Sequence, residues 1–269
     1  MNLNHFLEKS WEHYCAITPD AKKIHLLLSQ SRREKILNDH VAYRTFNLPG
    51  ISRLDLGKVF EEWGYERKDD MEFVEKKLTA TYWLHPDSHY PKIFISELLL
   101  EKVSPELRDW IKRLTAPFLS RSEKPTAEML LSQTWETPSF QDYEKFYSES
   151  EYAAWTAAFG IRVNHFTVLC NELKTFQALH ELNDYLGAEG FTLNSSGGVI
   201  KGSALERLEQ SSTIARRIPW KFSEGSTHEV MSCYYEFARR YPLSSGALFQ
   251  GFIPKSADKI FESTYEKKT

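Results

Sequence analysis

A chain of 269 residues, 41% hydrophobic and 26% charged, is long enough to bury a sizeable core without disulfide or metal staples. Its net charge of −3 argues against a nucleic-acid partner, which ordinarily demands a basic excess, and no apolar run approaches the ~20 residues that span a bilayer. The cysteines Cys15, Cys170 and Cys233 are odd in number, widely spaced and form no CxxC or zinc pattern, so reduced thiols in the cytoplasm are expected. Met1–His5 shows no basic stretch leading into an apolar run, so no signal peptide is expected.

Residues 1–36 read as helical: Phe6, Leu7, Trp11, Tyr14 and Cys15 recur at helical spacing, and Thr18-Pro19 forms a cap with a first-turn proline. His40–Phe46 is strand-like and ends at Pro49-Gly50. An amphipathic helix follows through Leu54, Leu56, Val59, Phe60 and Trp63, stopping at Gly64. Two further strands are expected near Thr79–Leu84 and Lys92–Leu100. Ser104-Pro105-Glu106 opens another helix, through Leu107, Trp110, Ile111 and Leu114, and Glu151–Phe159 reads as a short one before Gly160. Ile161–Leu169 is a strand, followed by a helix carrying Leu173, Phe176, Leu179, Leu182 and Leu186 that stops near Gly190. Strand-like stretches close the pattern at Ile214–Phe222 and Ser232–Arg239.

The pattern repeats. A strand histidine precedes a helix that ends in glycine and an aromatic: Gly64-Tyr65 begins 24 residues after His40, and Gly190-Phe191 begins 25 after His165. Each helix leads to strands that end in an embedded glutamate, Glu97 in Phe94–Leu98 and Glu236 in Tyr234–Phe237. This is the mark of a duplicated strand–helix–strands module. The fold class is therefore α+β, with residues 1–36 as N-terminal helices, 37–103 as a first module, 104–159 as a helical connector, 160–255 as a second module and 256–269 as a tail, all in one domain.

Side chains alternate along a strand, so His40, Ala42, Arg44 and Phe46 share a face, as do Val163, His165 and Thr167. Two imidazoles and one carboxylate that leave coordination positions open suit iron(II) used for oxygen chemistry. Other readings stay open. A strand histidine is commonly a hydrogen-bonded structural residue, Glu236 can face water or pair with Arg239, and Arg44 can lie at the surface. His85-Pro86-Asp87-Ser88-His89 reads as a turn because Pro86 breaks any helical face. Ser195-Ser196-Gly197-Gly198 lacks both the P-loop lysine and the dinucleotide glycine spacing, and reads as a flexible hairpin. No G-x-S-x-G elbow is present.

The runs His40–Phe46, Phe94–Leu98, Asn164–Thr167 and Tyr234–Ala238 together resemble the 2-oxoadipate dioxygenase/decarboxylase family, also called hydroxyglutarate synthase, from about residue 36 to residue 252. The resemblance implies a vicinal-oxygen-chelate fold of paired βαβββ modules enclosing a metal-binding cavity, with helical additions. It implies Fe(II) on His40, His165 and Glu236, with Arg44 gripping a substrate carboxylate, which its planar guanidinium can bind bidentately. The implied reaction takes 2-oxoadipate, or a related 2-oxo diacid, and O2 to 2-hydroxyglutarate and CO2 in lysine catabolism. Glu97 is then expected to be the first module's counterpart of Glu236, without a ligand role. Two alternatives remain: a divalent-metal isomerase or hydrolase on the same scaffold, and a non-catalytic diacid-binding module. The sequence leaves oligomeric state open.

Overall fold

The computed structural model describes residues 1–121 and 124–260. Its first module contains β1 (Asn38–Phe46), α3 (Arg53–Glu61), β2 (Glu66–Phe73), β3 (Leu78–Leu84) and β4 (Lys92–Leu98), after the N-terminal helices α1 (Leu3–Ile17) and α2 (Pro19–Leu26). The connector holds α4 (Pro105–Leu119), α5 (Phe140–Tyr147) and α6 (Glu151–Phe159). The second module contains β5 (Val163–Leu169), α7 (Leu179–Ala188), β6 (Lys201–Ser203), β7 (Leu208–Ser212), a hairpin β8 (Arg217–Lys221) and β9 (Thr227–Met231), then β10 (Glu236–Arg240) and α8 (Pro254–Ile260).

The main sheet has eight strands in the order β2-β3-β4-β1-β5-β10-β7-β6. Read outward from the centre, β1-β4-β3-β2 and β5-β10-β7-β6 are the same arrangement, each with its first and last strands parallel. The two halves join where β1 runs antiparallel to β5. Helix α8 touches both β2 and β6, the two edges of the sheet. One short helix can reach both edges only if the sheet curls, so the structure is a half-barrel with a concave inner face.

The central strands are continuously buried and carry little polar alternation, as expected where both faces are covered. Outside, Tyr43 of β1 meets Phe60 of α3 with ring centroids 5.6 Å apart, and Phe60 in turn meets Phe6 of α1. Helix α3 lies close on the sheet because Gly57 faces the Trp83 ring; a Cβ there would come within 2.1 Å of it. Inside, α6 is buried on every side. Its Tyr152 hydroxyl donates to the Ser96 carbonyl at 2.8 Å and accepts the Thr45 amide at 3.1 Å. Trp155 Nε1 donates to the Ser232 carbonyl at 2.9 Å.

Several expected elements differ. The edge strand β2 escapes the sequence pattern because most of its residues are charged and exposed. The stretch Ile214–Phe222, expected in the module, instead supplies β8 of a separate two-stranded sheet, and the strands completing the module are β6 and β7. The helix expected from Leu173 starts at Leu179, after a single 3-10 turn at Cys170–Glu172. Helix α8 crosses the expected boundary at residue 255, and residues 261–269 of the expected tail lie outside the described residues. Among the described residues no helix is long and apolar enough to cross a membrane.

Candidate metal centre

β1 and β5 carry His40 and His165 onto the inner face, and β10 carries Glu236 there. The ladder register explains how they meet. Ala42 pairs with His165, and His40 pairs with Thr167, so the two histidines sit symmetrically about the β1–β5 junction. Glu236 pairs with Thr167 across β5 and β10. The ligand atoms of His40, His165 and Glu236 all lie within 4.8 Å of one another despite their separation in sequence.

The ladder also shifts register twice, and the extra residue is Asp39 in one case and Asn164 in the other, each directly before a histidine. In a regular strand, consecutive side chains point to opposite faces. The bulges relax that rule and bring each preceding side chain back onto its neighbour's ring. Asp39 Oδ2 lies 2.8 Å from His40 Nδ1, and Asn164 Oδ1 lies 3.0 Å from His165 Nδ1. Engaging Nδ1 in this way turns Nε2 toward the shared centre, the usual role of groups that orient metal-binding imidazoles.

Distances at the centre fit a cation. Glu236 Oε1 lies 3.6 Å from His40 Nε2, and Oε2 lies 3.2 Å from His165 Nε2. Donors about 2.1 Å from one ion and at right angles to each other stand about 3 Å apart. Glu236 is fully buried; Gln210 Nε2 donates to its Oε1 at 2.6 Å, while Oε2 has no hydrogen-bond partner among the described residues. Thr167 Oγ1 lies 3.0 Å from His40 Nε2. Burial pushes the Glu236 carboxyl above its ordinary value despite His40 and Gln210, and burial, His40 and Arg44 hold His165 well below its own. A neutral imidazole is the form that binds metal, and a buried carboxylate set between two imidazoles gains most from a positive ion. Two nitrogens and one oxygen donor leave positions free for exogenous ligands, the pattern of non-haem iron oxygenases.

Asp39 is itself fixed by charge. It accepts from Arg240 Nε at 2.6 Å and Nη2 at 2.9 Å, and Lys92 Nζ lies 3.3 Å away. Burial alone would raise its pKa, but Arg240 and Lys92 more than offset this and keep it well below the usual carboxylate range. Arg240 Nη1 also donates to the carbonyls of Phe249 at 3.0 Å and Gly251 at 2.7 Å. That anchors the segment whose Phe252 stands edge-on to His40 at 4.9 Å. Phe252, Phe94 and Ile260 supply the apolar walls of a cavity of about 20 Å³ at the triad.

Arg44 lies on the His40 face but does not line that cavity. It is buried, with Nη1 3.0 Å from Glu151 Oε1 and its guanidinium over Tyr152 and Trp155 at 4.9 and 5.1 Å. It borders a second cavity of about 320 Å³, walled by Lys77, Leu78, Val103, Glu151 and Tyr152. Glu97 is not the counterpart of Glu236. Two residues past the second histidine Thr167 pairs with Glu236, whereas two past the first Ala42 pairs with Phe94. Glu97 points to the outer face, where it accepts the Arg53 amide at 2.7 Å and pairs with the Arg53 guanidinium. His85 and His89 sit in a turn, with His89 Nδ1 2.9 Å from Asp87 Oδ1, and Ser195–Gly198 forms a turn with Gly197 and Gly198 at positive φ. Sequence reasoning missed Asp39, Gln210 and Arg240. A small polar residue before each histidine, Asp39 and Asn164, was the available signal for the first; Gln210 and Arg240 had none.

A curled sheet of paired βαβββ modules with two histidines and a glutamate on its inner face defines a vicinal-oxygen-chelate scaffold. A structure from Ralstonia eutropha JMP134 assigned to the glyoxalase superfamily shares it, with a TM-score of 0.74 at 20% identity, covering 90% of this chain and 83% of that one. Within that class the chain belongs to the 2-oxoadipate dioxygenase/decarboxylase family, whose model matches residues 12–249. The match begins inside α1, earlier than residue 36, so the N-terminal helices are part of what the family shares. The chain is 33% identical to the chloroplastic 2-oxoadipate dioxygenase/decarboxylase of Arabidopsis thaliana, over 95% of its own length and 75% of the relative's. It superposes with a TM-score of 0.89 on the hydroxyglutarate synthase of Oryza sativa in complex with 2-oxoadipate, at 31% identity over 97% of this chain and 91% of that one.

Proposed function

We propose that this chain is an Fe(II)-dependent dioxygenase and decarboxylase that converts 2-oxoadipate, or a closely related 2-oxo diacid, and O2 to 2-hydroxyglutarate and CO2 in lysine catabolism. The observation that carries the reading is the convergence of His40, His165 and Glu236 within 4.8 Å on the inner face of a half-barrel, in a member of this family. His40 and His165 would each offer Nε2, and Glu236 a carboxylate oxygen. The ion, when bound, supplies chelation of the 2-oxo acid and activation of O2. The protein's own residues do the rest. Asp39 and Asn164 orient the rings, Gln210 holds Glu236, and Phe94, Phe252 and Ile260 exclude water from the reacting head.

Arg44 would read the far carboxylate. Its backbone lies roughly 13 Å from that of His40 at about 3.3 Å per residue, a span that a six-carbon diacid can bridge when both side chains lean inward. Glu151 keeps the guanidinium in place without substrate. The triad cavity of about 20 Å³ accommodates little more than an ion or a water, so substrate entry requires Phe252 or the segment bearing Ile260 to give way. The five segments read from the sequence would act as one metalloenzyme domain. The cysteines form no disulfide, which suits the reducing cytoplasm.

The test is anaerobic loading with Fe(II), then oxygen uptake with a panel of 2-oxo diacids, with CO2 and 2-hydroxy acid measured together. Stoichiometric uptake and release with 2-oxoadipate supports the reading. Turnover with Zn(II) or Ni(II) without oxygen uptake would overturn it in favour of an isomerase or hydrolase. Metal-independent diacid binding without turnover would leave a binding module.

A further inference from the structure

The triad cavity has two polar wall residues besides its candidate ligands, Gln210 and Tyr234. Gln210 is accounted for by its hydrogen bond to Glu236. Tyr234 is fully buried, yet its hydroxyl makes no hydrogen bond among the described residues. Folding seldom leaves a buried hydroxyl orphaned, since water would otherwise satisfy it. Tyr43 and Tyr235 also have buried hydroxyls with no hydrogen bond among the described residues, but only Tyr234 of these borders the triad cavity, where a bound molecule can supply the partner.

Tyr234 lies two residues before Glu236, the first residue of β10, which pairs with Thr167 next to His165 on β5. Its ring stacks on the His165 imidazole with centroids 4.6 Å apart and planes at 27°. Its carbonyl accepts the Tyr14 hydroxyl from α1, which holds the strand at this point. The phenol thus has little freedom to swing away and find another partner. Glu236, Arg44 and Glu151 are charged groups close enough to act on it. A phenol hydroxyl has one proton to donate in a hydrogen bond.

We propose that the Tyr234 hydroxyl touches substrate, donating a hydrogen bond to an oxygen of the 2-oxo-carboxylate head of a diacid bound at the triad. The proposal rests on the diacid reading above and adds a third recognition point to the metal and Arg44. It also gives a role to a hydroxyl that makes no hydrogen bond among the described residues.

The test is Tyr234→Phe, which keeps the ring stacked on His165 and deletes only the orphaned hydroxyl. Three quantities are compared with wild type: the melting temperature of the metal-free protein, Mn(II) uptake, and the calorimetric Kd of 2-oxoadipate for the Mn(II)-loaded protein without oxygen. The expected result is an unchanged or raised melting temperature and unchanged Mn(II) uptake. 2-Oxoadipate should bind about tenfold to a hundredfold more weakly, the cost of losing a hydrogen bond to a charged or polar oxygen. With Fe(II), kcat/KM should fall in parallel. Equal 2-oxoadipate affinity in the two proteins overturns the proposal, as does a loss of affinity that comes with a lowered melting temperature, since that marks a structural role. If the wild-type Mn(II) protein binds no 2-oxo diacid, the proposed function itself fails, and that outcome is read from the wild type alone.

Discussion

Replacing Asp39 by Asn tests whether one buried carboxylate organises the candidate metal centre. Asn retains an oxygen for His40 Nδ1, much as Asn164 serves His165 at 3.0 Å, but removes the charge that faces Arg240 and Lys92. Lys92, whose pKa burial already lowers, can relax by losing its proton. Arg240 cannot, because its guanidinium stays charged at any accessible pH. One buried cation is left uncompensated, a change that costs about 3–5 kcal/mol. At about 2.1 cal/mol/K per residue, unfolding 269 residues carries roughly 0.56 kcal/mol/K. The metal-free variant should therefore melt about 5–9 °C below wild type. With weaker polarisation of His40, Mn(II) or Fe(II) affinity should fall about 10–100-fold. Circular dichroism melts with and without metal, together with Mn(II) titration calorimetry, measure both effects. A melting shift under about 2 °C with unchanged metal affinity would refute the reasoning: the Asp39–Arg240–Lys92 cluster would then be neither a charge balance nor a support for His40.

Arg44→Ala should keep its metal but strand Glu151, lowering stability by about 3–5 kcal/mol; adding Glu151→Gln should recover most of that loss in thermal melts. The double variant should still fail to prefer 2-oxoadipate over 2-oxohexanoate in kcat/KM, and a retained preference would show that Arg44 does not read the far carboxylate. Gly57→Ala drives a Cβ to within 2.1 Å of the Trp83 ring; overpacking of this kind costs about 1–3 kcal/mol, read as a shift in denaturant midpoint at constant slope, and a neutral result would mean that α3 slides freely on the sheet. Removing metal from a protein held at a hundred times its Kd forfeits about 2.7 kcal/mol, so chelation should lower the melting temperature by about 5 °C, and a triad variant such as His165→Ala should show no such response.

Much of the inner architecture was legible in the chain itself. β1 and β5 are buried along nearly their whole length, so polar side chains such as His40 and His165 within them call for partners or a task. The matched intervals to Gly64 and Gly190 reflect a local requirement, a positive φ of 89° and 86° ending each helix turn, which glycine meets at least cost. Those features depend on neighbours in sequence, so the duplication, and with it the pairing of the two histidines, could be read from residue order.

Elements at the periphery could not. β2 is an exposed edge with few apolar positions, and β6 has only Lys201–Ser203, so neither carries a period strong enough to announce a strand. The face occupied by Glu97 was decided by ladder register, because a short offset between modules exchanges the inner and outer faces of a strand. The partners of the centre are decided later still. Asp39 reaches His40 only through a bulge, Arg240 arrives 201 residues further on, and Phe252 closes the cavity only because the sheet curls until one helix meets both its edges. Sequence by itself brought His40, His165 and Glu236 forward as candidate ligands, since that depends on residue type and strand period. Tertiary structure decided what surrounds them, because the field and the water around a buried group come from whatever chain the fold packs against it.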